Sequence, residues 1–232
     1  MITVYYSAYS KNKQIQEYCH EPEPVLGTIF ENLDLKPGDA IKKCPAFTGL
    51  FKNIYKIKSS YDYDITWNGS EYSSTMYDQY FFNETIIQRD LDVGIFSYLN
   101  PSIYFFADCK SLELETVTPI YEKDMIYDGV LIPGKYDCAN HFRKLECSIK
   151  LKKPQRVEIH NGDTLYYTRF HTEEKIKFVR FQITPEMVAL SSALFDHRTH
   201  TTKITPLSWY YTIMKKHYNK KFLKLIKDNI LE

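Results

Sequence analysis

The sequence predicts a mainly β protein with C-terminal helices. Residues 1–183 form an antiparallel β-sandwich or jelly-roll-like body with a short helix near 39–52, and residues 184–232 form a helical appendage of the same domain. Three observations predict it. Aromatic residues make up 16% of the chain, with 20 tyrosines and 14 phenylalanines against 8 glycines, and such side chains suit pleated, half-buried surfaces. Strand-length apolar runs bounded by turn residues recur from Gly94 onward. At Thr184-Pro185 the pattern changes to helical spacing.

ITVYYSAY (2–9) is a first strand, short, aromatic and β-branched. EPEP (21–24) is extended, because proline restricts both itself and the residue before it. A turn at Lys36-Pro37-Gly38-Asp39 leads to Ile41, Cys44, Phe47, Leu50 and Phe51 at helical spacing, with Asp39 as N-cap and Pro45 breaking or shortening the helix. NIYKIKSSYDYDITWNGSEY alternates around a break at Ser59-Ser60 and carries Asn68-Gly69, a strong hairpin signal. DQYFFNETIIQRDL (78–91) fits helix or strand equally.

GIFSYL and IYFFAD read as two strands around an Asn100-Pro101-Ser102 turn, followed by LELETVTPIY and by DGVLIPGKYD with its Pro133-Gly134 turn. KLECSIKL (144–151) alternates, and residues 155–183 read as a three-stranded meander turning at Asn161-Gly162 and at His171–Glu174. In that register Leu165, Tyr166 and Tyr167 oppose Arg180, Val179 and Phe178, with Arg169 and Arg180 on one face. Thr184 caps a helix with Pro185 in its first turn, and Thr205-Pro206 starts another through Trp209, Ile213, Tyr218, Phe222, Leu225 and Ile226.

A formal net charge of +1 with 25% charged residues gives no global attraction to nucleic acid or anionic membrane. No run of about 18 apolar residues is present, so no membrane span is expected. MITVYYSAYSKNKQIQ lacks the basic start and apolar core of a secretion signal. Cys19, Cys44, Cys109, Cys138 and Cys147 are odd in number and lack a C-x-x-C pair, so they read as free thiols in a reducing cytoplasm. The sequons Asn68-Gly69-Ser70 and Asn83-Glu84-Thr85 are then chance matches. Neither a Gly-x-Ser-x-Gly, a phosphate-binding loop nor a Gly-x-Gly-x-x-Gly occurs, which removes the main support for serine hydrolase, NTPase and dinucleotide-binding readings.

The most chemical stretch is HNGDTLYYTRFHTEEKIKFVRF (160–181). His160, Asp163 and His171 are candidate metal ligands, but a strand at about 3.3 Å per residue puts roughly 25 Å between the histidines. A shared metal needs both at about 2.1 Å, so the expectation is a structural hairpin without a bound cofactor. His197 and His200 have i, i+3 spacing but lack a Glu-x-x-His partner. His141 follows Pro133-Gly134 too distantly for the cupin motif. Toward the C-terminus, Lys215, Lys216, Lys220, Lys221, Lys224 and Lys227 outnumber Asp228 and Glu232. With Trp209 these lysines are candidate nucleic-acid contacts, although the same pattern makes an amphipathic helix docked on the β body, the preferred reading.

KKCPAF (42–47), KNIYKIKSSYDYDI (52–65) and DTLYYTRFHTEEKIKFVRF (163–181) together resemble a family of uncharacterised proteins encoded by large tailed bacteriophages. The resemblance implies a phage context, either a virion component or a host-takeover protein, and lends no residue a catalytic role. The expectation is therefore a non-enzymatic structural or accessory virion protein, in the host cytoplasm or on the virion. It would act through protein–protein contacts with other virion proteins or with a second copy. The alternatives are a cupin-like metal-dependent oxygenase or isomerase, and a nucleic-acid binder using the basic C-terminal helix.

Overall fold

The computed structural model describes residues 1–10, 18–90, 93–122, 126–192, 212 and 217–231. It is mainly β, with three sheets. β1 (Ile2–Tyr9) lies between β14 (Ile176–Arg180), which runs parallel to it, and the long β7 (Ile95–Ala107). β11 (Arg143–Leu151) and β9 (Gly129–Ile132) continue this first sheet, and β6 (Ile86–Asp90) joins the first half of β7. The second sheet has the order β10 (Lys135–Asp137), β8 (Glu113–Val117), β13 (Thr164–Phe170), β3 (Ile54–Lys58), β2 (Glu23–Pro24). The third is β12 (Gln155–Ile159), β4 (Tyr63–Trp67), β5 (Tyr72–Ser73).

The middle of the first sheet, β1 with the second half of β7, is buried on both faces, whereas β9 leaves Val130 and Ile132 open to solvent. One face, with Val4, Phe105 and Ala107, packs against Ile57, Leu114 and Phe170 of the second sheet and Ile65 and Val157 of the third. The opposite face, with Tyr5, Tyr104 and Phe106, is covered by Met187 and Val188 of a helix described over 185–192 and by Phe222 and Ile226 of the terminal helix Asn219–Lys227. Burial on both faces explains why β1 is apolar almost throughout instead of alternating. Aromatic rings fill the space: Phe178 lies 4.8 Å from Tyr55 and 5.8 Å from Phe170, and Phe142 stacks on Phe222 at 4.6 Å.

Several expectations change. Helices are not confined to the C-terminal end: α1 (Val25–Asn32), a 3₁₀ turn (Ala40–Lys43), α2 (Pro45–Leu50) and α3 (Gln79–Thr85) lie within the β-rich part. Asp78 caps α3 by accepting from Phe81 N at 2.8 Å, and the ambiguous 78–91 stretch is helix, then strand. Asp39 accepts from Lys36 N at 2.6 Å, closing the preceding turn without capping a helix. Residues 95–107 form one strand, not two: Pro101 falls between the stretch paired with β6 and the stretch paired with β1, opposite a register shift in β11. Its missing N–H therefore costs no ladder bond.

The expected 155–183 meander does not form. β12 pairs with β4, β13 with β3 and β8, and β14 with β1, so three consecutive strands enter three sheets. Other local signals hold. Asn68 N bonds Glu71 O at 3.2 Å in the β4–β5 hairpin, and Thr184 Oγ1 accepts from Met187 N at 3.3 Å at the expected helix start. Gly94, at φ +66°, sits so close to Trp67 that a Cβ would come within 2.7 Å of its ring. Phe222 is fully buried between Phe106 and Phe142. Phe222→Ala should lower unfolding free energy by about 3–5 kcal/mol, read as a drop in urea midpoint.

Candidate functional site

The histidine-rich stretch forms a tied turn. Between β12 and β13, Asp163 N bonds His160 O at 2.9 Å, and the Asp163 carboxylate accepts from His160 N at 2.7 Å. Gly162 has φ +95°, which favours glycine there. The turn docks on the β3–β4 connection: Gly162 N donates to Ser59 O (2.9 Å), Ser59 N to Asp163 O (2.8 Å), and Asn161 N to the Asp62 carboxylate (2.8 Å). His20 places Nε2 2.8 Å from Asn161 Oδ1, and His160 Nδ1 lies 3.8 Å from Asp62. Tyr18, whose hydroxyl is 3.4 Å from His20 Nδ1, carries the Arg180 guanidinium over its ring at 5.6 Å.

His171 lies at the far end of β13, with Nε2 2.8 Å from the Glu115 carboxylate. The structure therefore separates His160 and Asp163 from His171 and brings His160 toward Asp62, with His20 on the neighbouring Asn161, instead. No group of three or more His, Cys, Asp or Glu side chains able to hold a metal occurs among the described residues. The cupin-like reading has no ligand set there. His141 Nδ1 is 3.0 Å from Asp137 O, whereas His197 and His200 lie outside the described residues.

Of the tail candidates, Lys220, Lys221 and Lys224 are on the exposed side of the terminal helix, with Lys221 bonded to Glu186 at 2.8 Å. Lys227 bonds Asp108 at 2.8 Å. The described part of the tail thus docks on its own sheet through Phe222 and Ile226. Trp209, Lys215 and Lys216 lie outside the described residues. The five cysteines are free, and among the described residues no helix is long and apolar enough to cross a membrane.

Sequence reasoning missed three polar centres. Lys56 and Tyr167, cross-strand partners on β3 and β13, both reach Glu122: Tyr167 donates at 2.8 Å, and Lys56 Nζ lies 3.2 Å away. The Lys56 and Glu122 side chains are only 11% and 18% exposed. Burial and the adjacent carboxylate push the Tyr167 hydroxyl far up, so it stays a donor. Asp137 accepts from Ser111 Oγ, Leu112 N, Ala139 N and Asn140 Nδ2 at 2.6–3.0 Å. Asp64 accepts from Arg156 Nε at 2.7 Å and from the Thr75 amide and hydroxyl. Burial raises both carboxyls, but the hydrogen bonds outweigh it and hold them below the usual range. No local motif marks the Glu122 and Asp64 centres, since Glu122 is 45 residues from Tyr167 and Arg156 is 92 from Asp64, whereas Asp137 closes a local turn onto Ala139 and Asn140.

The other notable surface is an apolar cap. Phe30, Phe47, Phe51 and Tyr121 form a continuous series of rings at 5.0–6.4 Å, with Lys42 over Phe30. From Leu33 to Leu50 no residue is buried, and α2 buries none of its side chains. Leu33 is 53% exposed, while Leu50 and Ile120 are each 64% exposed. Spacing revealed the apolar side of α2, of which Phe47 packs against Phe51 and the buried cluster of Val25, Ile29 and Ile54 while Leu50 is left open to solvent. Compared with known proteins, the chain matches no family model, no curated protein and no solved structure.

Because the folded pKa values of Asp64 and Asp137 lie below the unfolded value of about 3.9, their stabilisation is complete at neutral pH. It is lost as pH falls through the folded values. Asp64→Asn and Asp137→Asn should lower stability at pH 7 by about 1–3 kcal/mol and flatten its decline under acid, measured by urea unfolding across pH. Glu122→Ala should cost about 3–5 kcal/mol by stranding Lys56, with less than the sum lost on also replacing Lys56 by Met, a double-mutant cycle that measures their coupling.

Proposed function

We propose that this chain is a non-enzymatic, phage-type structural or accessory virion protein acting through protein–protein contacts, on a body of sandwich or jelly-roll type. The α1–α2 cap carries this reading. A helical segment with Leu33, Ile41 and Leu50 open to solvent, beside Ile120 and Tyr121 of the turn after β8, is a surface that a partner would cover. Packing of strands from the second and third sheets over one face of the first supports the sandwich-like description. The phage context comes from the resemblance at KKCPAF, KNIYKIKSSYDYDI and DTLYYTRFHTEEKIKFVRF.

The reading also draws on what the polar centres do: the His160 turn is tied up in backbone hydrogen bonds, and Glu122 is held by the Lys56 ion pair and the Tyr167 hydroxyl, both fastening strands and connections to one another. Docking of the terminal helix on its own sheet moves the contact surface away from the tail and onto the cap. Mass spectrometry of purified virions from the encoding phage should detect the chain. Leu50→Asp combined with Ile41→Asp should remove it from particles while leaving circular dichroism unchanged. A strictly monomeric protein absent from particles would overturn the reading.

A further inference from the structure

Polar groups sealed inside a protein are nearly always hydrogen-bonded, because water's bonds are forfeited otherwise. Between the first and second sheets this chain seals several hydroxyls that have no partner among the described residues. Tyr127 is 4% exposed and Thr168 fully buried, and Tyr127 Oη, Tyr136 Oη and Thr168 Oγ1 all lack a hydrogen-bond partner. Tyr127 belongs to the main core cluster, and Tyr136 packs against it.

Their placement follows a seam. On β13, Tyr166, Thr168 and Phe170 alternate onto one side, and Tyr166 and Phe170 are core residues. Thr168 is opposite Thr116 on β8, while Tyr136 on β10 is opposite Leu114, whose other neighbour is Phe170. Cys147, fully buried on β11 of the facing sheet, lies within electrostatic reach of both Tyr166 and Tyr127, and Tyr136 within reach of Tyr166. The seam thus joins phenols, a thiol and a threonine hydroxyl.

We propose that this inter-sheet seam is a binding site for small uncharged oxygen-bearing molecules, with Tyr127, Tyr136 and Thr168 as their hydrogen-bonding partners. The Arg143 guanidinium lies over the Tyr136 ring at 5.3 Å, while Tyr127 is packed in the apolar core cluster and Thr168 lies between Tyr166 and Phe170 of that cluster, so a charged ligand held by those two would be buried against apolar side chains. Phenols kept protonated by burial donate to an oxygen acceptor, and the threonine hydroxyl can donate or accept. That chemistry fits ordered water and equally the carbonyl or hydroxyl of a small metabolite. A dry seam would leave three hydroxyls carrying their full desolvation penalty, a large share of a domain's marginal stability. This site is independent of the cap and of the virion reading.

The sign of a stability change tests it. Tyr127→Phe, Tyr136→Phe and Thr168→Val keep shape and remove one hydroxyl each, so in a dry seam each would raise the urea midpoint of the full chain. The expected result is a lower midpoint for each variant, with the loss shrinking in the triple variant as the bound molecules leave together. Organic extraction of purified protein followed by mass spectrometry identifies a metabolite. Long-lived internal waters in water-proton relaxation dispersion, with nothing extracted, identify water. Either result supports the site. Higher midpoints in all three variants, or neither an extracted compound nor internal waters, would overturn it.

Discussion

The rest of the structure depends on burial of β1 and the second half of β7 on both faces. Val4, Phe105 and Ala107 require the second and third sheets on one side, while Tyr5, Tyr104 and Phe106 require helices on the other. Each face removes apolar area worth roughly 25 cal/mol per Å², so neither layer can detach without exposing rings. This holds the terminal helix against the β strands, and its lysines are outward because Phe222 and Ile226 are inward. It also accounts for the aromatic content, since a planar ring fills a layer thickness that few aliphatic side chains span.

Polar groups serve this arrangement in two ways. Asp64, Asp137 and the Lys56–Glu122–Tyr167 centre fasten connections to strands, each carboxylate accepting from several donors at once. They are costly to bury, yet each is met by charge or by backbone N–H, which keeps the cost recoverable. The turn at His160–Asp163 does the same at the surface, tying β12–β13 to β3–β4 through Ser59 and Asp62. The inter-sheet hydroxyls differ in kind, because no group among the described residues answers them.

Local chemistry was legible where a few residues decide the outcome. Thr184-Pro185 starts a helix, Asn68-Gly69 turns a hairpin, Asn161-Gly162 turns β12 into β13, and the aromatic, β-branched run of residues 2–9 and the alternation of 144–151 mark strands. Illegible were partners: Tyr167 was expected opposite Phe178, yet it lies opposite Lys56 and Val117. Adjacency in sequence favours the hairpin, but pairing β13 with β14 would take β14 from the doubly buried β1 and β13 from β3.

The sequence by itself determined a β-rich, aromatic chain with helix starts and turns in fixed places, because those follow from backbone sterics and side-chain periodicity within a few residues. Tertiary structure alone decided which strands share a sheet, that Pro101 sits inside a strand, that His160 meets Asp62 instead of His171, and that Leu50 of α2 is open to solvent while Phe47 is packed. The physical reason is that strand pairing and burial are set by contacts between residues distant in sequence. A period-two pattern shows that a face is apolar but not what will cover it.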